Sequence, residues 1–225
     1  MKKFNLLKDY PQTNKKRISN SNTRTIKERI VSSYRDKNLY DGSRKYGYGG
    51  FVYDGRWKKI AYKICKVYNL NNSSKILQLG CEKGFLLHDI KSLYPKITIK
   101  GVDMSQYAID NSMPDVKKKL KIGNYTKLKF KDNEFDFVLA LGVVYSLNLA
   151  DAIKCLKEII RVSRGNSFVN LSSYSNSHDY WLFKHWTLLG STLLTENEWI
   201  EVLKHVKYKS HFYFTNAKTL KLKKM

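Results

Sequence analysis

The stretch that decides the fold is Ile76-Leu77-Gln78-Leu79-Gly80-Cys81-Glu82-Lys83-Gly84-Phe85. A short apolar strand, beginning at Lys75, runs into a turn bounded by two glycines, and a helical pattern from Phe85 to Leu93 follows. Glycine at a strand end lets the backbone turn tightly and approach a ligand closely. The helix N-terminus behind it offers free N–H groups to a carboxylate or phosphate. About 20 residues further on, a second strand, Ile97 to Val102, ends at Asp103, where an acid can accept hydrogen bonds from two ribose hydroxyls. These features fit a nucleoside-containing cofactor.

Outward from that turn, strands and helices alternate. Leu120 to Gly123 reads as a third strand, Phe135 to Leu141 as a fourth and Asn166 to Leu171 as a fifth. Gln106 to Asn111 starts a short helix, and Leu149 to Val162 is a helix with Ala152, Cys155, Leu156, Ile159 and Ile160 inward. Glu196 to Val206 is a helix and Lys209 to Phe214 a sixth strand. This alternation predicts an α/β domain, a mostly parallel sheet with helices on both faces. Upstream, residues 1–22 are polar and basic and predict a flexible arm. Residues 23–70 predict an N-terminal lid: helices over Thr25 to Tyr34 and Trp57 to Tyr68 flank an aromatic–glycine loop. Residues 71–225 predict the cofactor-binding core.

The chain has 225 residues, enough for one continuous core, with 42% hydrophobic and 27% charged residues. Its formal net charge is +23. That charge is either a solvated lysine-rich surface or a field that draws an anionic partner: nucleic acid, a nucleotide-activated sugar or an acidic lipid surface. Lys outnumbers Arg about four to one, whereas bidentate phosphate and guanine contacts favour Arg. Cys65, Cys81 and Cys155 form no C-x-x-C pair, which predicts neither a disulfide framework nor a metal site and fits a reducing cytoplasm. No secretory signal and no run of about 18 apolar residues is read.

The glycine turn lacks the Gly-x-Gly-x-x-Gly of nicotinamide enzymes and resembles motif I of class I S-adenosylmethionine-dependent methyltransferases, a Rossmann-like fold with a seven-stranded sheet. Further matches follow in order. They are Gly101-Val102-Asp103-Met104-Ser105; Gly123-Asn124-Tyr125 with Phe135-Asp136-Phe137-Val138; and Val162-Ser163-Arg164-Gly165 before the fifth strand. The resemblance runs from Lys75 to Leu171. It implies that S-adenosylmethionine is bound, and S-adenosylhomocysteine released, by Gln78, Leu79, Gly80, Cys81 and Gly84 at the methionine end. Asp103 would hold the ribose, Met104 and Asn124 the adenine, and Leu141 and Gly142 would lie near the transferable methyl. Two positions depart from the family: Gln78 stands where an acid is usual, and Glu82 where the middle glycine is usual. Three readings of Glu82 stay open: a solvent-facing side chain paired with Lys83 or a neighbour, a partner of the donor's cationic amino group, or a mark of an inactive relative.

For the acceptor, Tyr145 after the fourth strand and His178, beside Asp179, are the catalytic candidates. Tyr46, Tyr53, Arg56, Trp57 and Trp181 are substrate or lid candidates, with Arg56 able to clamp a carboxylate or phosphate. His185 and Trp186 are further candidates for the same wall. The glycines of Tyr46 to Trp57 allow a lid to bend. This aromatic–glycine stretch also looks like a bacterial subgroup associated with sugar and polysaccharide pathways. The expectation is therefore a cytoplasmic enzyme that methylates a small, anionic acceptor, such as a nucleotide-linked sugar. An RNA methyltransferase and an inactive methyltransferase-like binding protein are the alternatives.

Overall fold

The structure is a computed structural model that describes residues 1–11 and 17–224. The N-terminal part carries β1 (Lys2–Lys3), β2 (Arg17–Ser19), α1 (Ile26–Ser33), α2 (Lys37–Tyr40) and α3 (Lys58–Val67). Then β3 (Lys75–Leu79), α4 (Phe85–Leu93), β4 (Thr98–Asp103), α5 (Gln106–Asp110), α6 (Pro114–Lys117) and β5 (Leu120–Ile122) form one half of the sheet layer. The other half is β6 (Phe137–Ala140), α7 (Leu149–Val162), β7 (Ser167–Tyr174), α8 (Ser177–Trp186), β8 (Leu194–Thr195), α9 (Glu196–His205), β9 (His211–Thr215) and β10 (Leu222–Lys224).

The main sheet runs β1-β9-β7-β6-β3-β4-β5, with β8 beside β7. Every pairing in it is parallel, as the alternating pattern predicts. From β3 the chain steps outward to β4 and β5, then returns to the other side of β3 with β6. That reversal makes the gap between the carboxyl ends of β3 and β6 the switch point, where a doubly wound sheet binds its ligand.

Each central strand buries both faces, which is why they read as apolar runs. Leu77, Leu79, Val138, Ala140, Val169 and Leu171 face one way, against Ala152 and Leu156 of α7 and Trp199 and Leu203 of α9. Ile76, Phe137, Leu139 and Phe168 face the other, against Ile60 and Ile64 of α3 and Leu86 and Ile90 of α4. So α3 is a layer of the core rather than part of a lid, as its fully buried Ile60, Ala61 and Ile64 require.

The expected flexible arm is anchored where it is described. Lys2 and Lys3 extend the sheet in parallel with His211 and Phe212 of β9. Leu6 is fully buried in the α3–α4 face, a burial that contributes about 1.5–3 kcal/mol. Tyr10 packs on Trp57, ring centroids 4.6 Å apart. β2 pairs with β10 in a second, two-stranded parallel sheet, and the Ser19 hydroxyl donates to the Leu182 carbonyl of α8 at 2.9 Å. Residues 12–16 of the expected arm lie outside the described residues. Lysine richness is a poor guide here because lysines edge the arm while Phe4, Leu6 and Tyr10 anchor it.

Candidate functional site

The turn after β3 brings the site together. Gly80 has φ +65°, and a Cβ there would come 2.5 Å from Val143 Cγ2 and 3.7 Å from the Leu141 carbonyl. The strand end thus presses its bare backbone against the segment following β6. The Gly80 and Cys81 N–H groups donate to the Val102 carbonyl of the neighbouring strand, 2.9 and 3.3 Å. Gly84, at φ +76°, opens α4 with no side-chain cap; a Cβ there would meet Val116 Cγ2 at 2.7 Å.

Asp103, at the end of β4, is 2% exposed. Its Oδ2 accepts from the Glu82 N–H and its Oδ1 from the Ser105 N–H, both at 2.8 Å. Each carboxylate oxygen keeps a second acceptor position. Burial holds the Asp103 carboxyl above its ordinary pKa, against the lowering effect of these N–H donors and of Arg35. Met104 beside it is 44% exposed, an apolar surface at the rim. Asn124 is exposed, and its Oδ1 accepts from the Thr126 N–H at 2.8 Å and the Thr126 hydroxyl at 2.9 Å, closing the turn after β5.

Glu82 is half-buried and left-handed, φ +50°. It does not pair with Lys83. The Tyr48 hydroxyl donates to Glu82 Oε1, while Lys83 Nζ reaches Asp41 Oδ2 at 2.6 Å and the Phe51 carbonyl at 2.9 Å. Two consecutive residues of the turn after β3 therefore grip the same lid. Burial and then the Asp103 carboxylate push the Glu82 carboxyl up to about 7, opposed by the Tyr48 hydrogen bond and by Arg35. Tyr145 sits in the turn after β6, its hydroxyl 3.7 Å from where a Gly142 Cβ would stand. Burial and the Glu82 charge push the Tyr145 phenol up to about 12. Tyr48 stacks on Tyr40 at 5.7 Å and contacts Phe51 at 4.4 Å.

The structure thus gathers Gly80, Cys81, Glu82, Asp103, Gly142 and Tyr145 about the switch point. Gln78 and Leu79 lead into the turn and are buried, and Leu141 precedes Gly142 at the rim. Other candidates lie elsewhere. His178 is exposed in the first turn of α8, where Asp179 gives its N–H to the Asn176 cap at 2.9 Å. Neighbours i and i+1 on a helix do not face each other, so the two make no acid–imidazole pair. Arg56 is already held bidentately by Asp54, 2.8 and 2.5 Å, on the surface. Trp57 packs against Tyr10 of the N-terminal segment. The Tyr53 hydroxyl donates to Asp89 of α4 at 2.5 Å, on the flank of the turn. Tyr46 carries Lys45 Nζ 4.8 Å over its ring. Trp181 stacks on His185, centroids 4.3 Å apart, in the apolar cluster between α8 and β10.

Sequence reading missed Arg35, Tyr40 and Tyr48. Arg35 follows α1 at φ +51° and bears electrostatically on Asp103, Glu82 and Tyr40. The Arg35 carbonyl accepts the Ser105 hydroxyl. Nothing in its neighbourhood signals that. Tyr48 was inside the quoted aromatic–glycine loop, and its glycines were the available signal.

The residues present fit a nucleoside donor. Asp103 is a buried carboxylate with lone pairs to spare, Gly142 leaves open space beside the Tyr145 hydroxyl, and Gln78 Oε1 is buried at the turn without a partner.

Residues 77–170 match the family described as Methyltransferase domain. An uncharacterized methyltransferase of Schizosaccharomyces pombe, C1B3.06c, is 27% identical over 122 residues, 48% of this chain and 43% of that protein. The chain thus spans less than half the length of this curated relative. In fold it is similar to the YcgJ protein of Bacillus subtilis, with a TM-score of 0.53 and 14% identity over 65% of this chain and 66% of that one. The BH2331 protein of Bacillus halodurans gives a TM-score of 0.51 and 13% identity, over 65% and 67%. The turn after β3 and the acid after β4 both lie within residues 77–170, the segment that matches the methyltransferase-domain family, and the fold around them is similar to that of the two Bacillus proteins.

Proposed function

We propose that the chain transfers the methyl group of S-adenosylmethionine to a small-molecule acceptor at the mouth between β3 and β6. The observation that carries this is the buried Asp103 carboxylate, held by two backbone N–H groups beside a glycine turn at the switch point. Asp103 takes the ribose hydroxyls, Met104 packs on the adenine with Asn124 at its edge, and Gln78, Leu79, Gly80, Cys81 and Gly84 take the methionine end. Leu141 and Gly142 flank the methyl. The donor supplies an electrophilic methyl on sulfur. The protein's share is alignment and exclusion of water.

On the acceptor side, Tyr145 and the Tyr40–Tyr48 wall orient the incoming atom, with Tyr48 and Phe51 closing over it. His178 lies exposed in the first turn of α8 with no acid–imidazole pairing to Asp179 to raise its basicity. The net charge of +23 supports an acceptor that is anionic overall, such as a nucleotide-linked sugar, steered in from solution. Three buried free thiols support a cytoplasmic location, and no helix among the described residues is long and apolar enough to cross a membrane.

The test uses S-adenosylmethionine with a labelled methyl, incubated with the protein and a polar metabolite extract fractionated by charge. Label entering anionic small molecules with wild type, and not with Asp103→Ala, is expected. Label entering RNA instead would favour the nucleic-acid reading. Label in neither fraction would oppose the catalytic one.

A further inference from the structure

Glu82 stands between Gly80 and Gly84 in the turn after β3, with φ +50°. Its backbone is left-handed, its N–H is committed to Asp103 Oδ2, and its carboxylate leaves the turn toward the lid. The groups that face it come from every element around the mouth. They are Tyr40 and Tyr48 from the lid, Arg35 from the turn after α1, Asp103 from β4, Cys81 from its own turn and Tyr145 from the turn after β6. Only Arg35 among them is a cation. Arg35 bears on both carboxylates electrostatically, and among the described residues neither Glu82 nor Asp103 forms an ion pair. A second observation points the same way. Gln78 Oε1, an acceptor on a side chain 6% exposed, lies at the same turn without a partner, its amide nitrogen 3.5 Å from the Gly80 carbonyl.

S-adenosylmethionine brings what is missing: a sulfonium and an α-ammonium. S-adenosylhomocysteine keeps only the ammonium, and 5′-methylthioadenosine has neither. We propose that Glu82 is the charge-reading residue of the donor site, its carboxylate set against the cationic end of S-adenosylmethionine and favouring donor over spent product. The acid usual at position 78 has in effect moved four residues along the turn, leaving Gln78 as an auxiliary neutral acceptor. This rests on the donor site proposed above. The Tyr48 hydroxyl is then the stand-in partner of Glu82 while the cation is away, so donor arrival and lid position are linked through one carboxylate. The raised pKa of Glu82, about 7, fits a carboxylate awaiting a counter-charge.

Calorimetric titration of the three ligands into wild type, Glu82→Gln and Tyr48→Phe tests this. Glu82→Gln keeps the size and the turn and removes the charge. The expected losses are graded: about tenfold for S-adenosylmethionine, about threefold for S-adenosylhomocysteine and none for 5′-methylthioadenosine. Tyr48→Phe leaves the carboxylate and keeps the wild-type preference for S-adenosylmethionine over S-adenosylhomocysteine. Wild-type affinity for S-adenosylmethionine rises from pH 5.5 to pH 8, and the Glu82→Gln variant is flat over that range. An equal change for all three ligands would make Glu82 a structural residue and overturn the proposal, as would tighter S-adenosylmethionine binding by Glu82→Gln. Binding of none of the three by wild type would overturn the donor site itself, and this inference with it.

Discussion

The sheet core and the lid over it are held by different means. In the core, parallel strands bury alternate faces against α3 and α4 on one side and α7 and α9 on the other. The lid has a smaller apolar cluster, Leu39 and Tyr40 against Phe51, Tyr107 and Ala108. The rest of its order comes from polar ties between irregular segments: Arg24 to the carbonyls of Arg44 and Lys45, Arg29 to that of Lys184, Lys83 to Asp41 and Phe51, and Tyr107 to Asp41 at 2.8 Å. Apolar packing in a sheet layer imposes a period that the amino-acid order must follow. Side chain-to-carbonyl ties impose none. The turn after β3 is built by the first means and the lid over it largely by the second.

The largest effect expected is in the core. Trp199 is fully buried, and its Nε1 donates to the Ser172 carbonyl at 2.6 Å. Trp199→Ala should cost about 3–5 kcal/mol of stability in urea unfolding. A loss below about 1 kcal/mol would mean that the α9 face is looser than its packing indicates.

The lid should answer to its polar ties. Lys83→Met removes the cation that Asp41 and the Phe51 carbonyl share, with an expected cost of about 1–3 kcal/mol. Limited proteolysis should then cut faster within residues 42–56, while cleavage of the sheet core stays slow. Equal acceleration in both would erase the distinction between the two regions.

A smaller effect links the regions through pH. The folded Glu82 carboxyl titrates near 7, above its unfolded value of about 4.3. Between those values the folded state binds more protons than the unfolded one, so stability from this group falls as pH rises through the window. The unliganded protein should melt progressively lower from about pH 4.5 to 7, and Glu82→Gln should flatten that part of the slope. An unchanged slope would remove Glu82 as its source. The smallest change belongs to His178→Ala. An exposed residue in the first turn of α8 should shift stability by no more than about 0.5 kcal/mol and leave donor affinity intact.

The same contrast explains what was readable in advance. Leu149–Val162 and Phe85–Leu93 were legible to the residue because their inward faces repeat at the helical period. The turn after β3 was legible because tight backbone needs glycine, and Gly80 and Gly84 both have positive φ. β1 and β2, of two and three residues, are too short to show a period and are ordered by distant partners. Arg35 and Tyr40 lie beside Glu82 and Asp103 only because the lid folds back over the turn. Arg56 and Trp57 looked like lid residues by composition, yet Asp54 and Tyr10 hold them on the far side of the loop.

Donor binding at Asp103 is tested by calorimetric titration of S-adenosylmethionine into wild type and Asp103→Ala, with folding of the variant checked by its melting curve. Wild type is expected to bind, and a folded variant to lose about 1–3 kcal/mol, the value of charge-assisted hydrogen bonds to the ribose. Equal affinity in both proteins, or no binding by wild type, would contradict it.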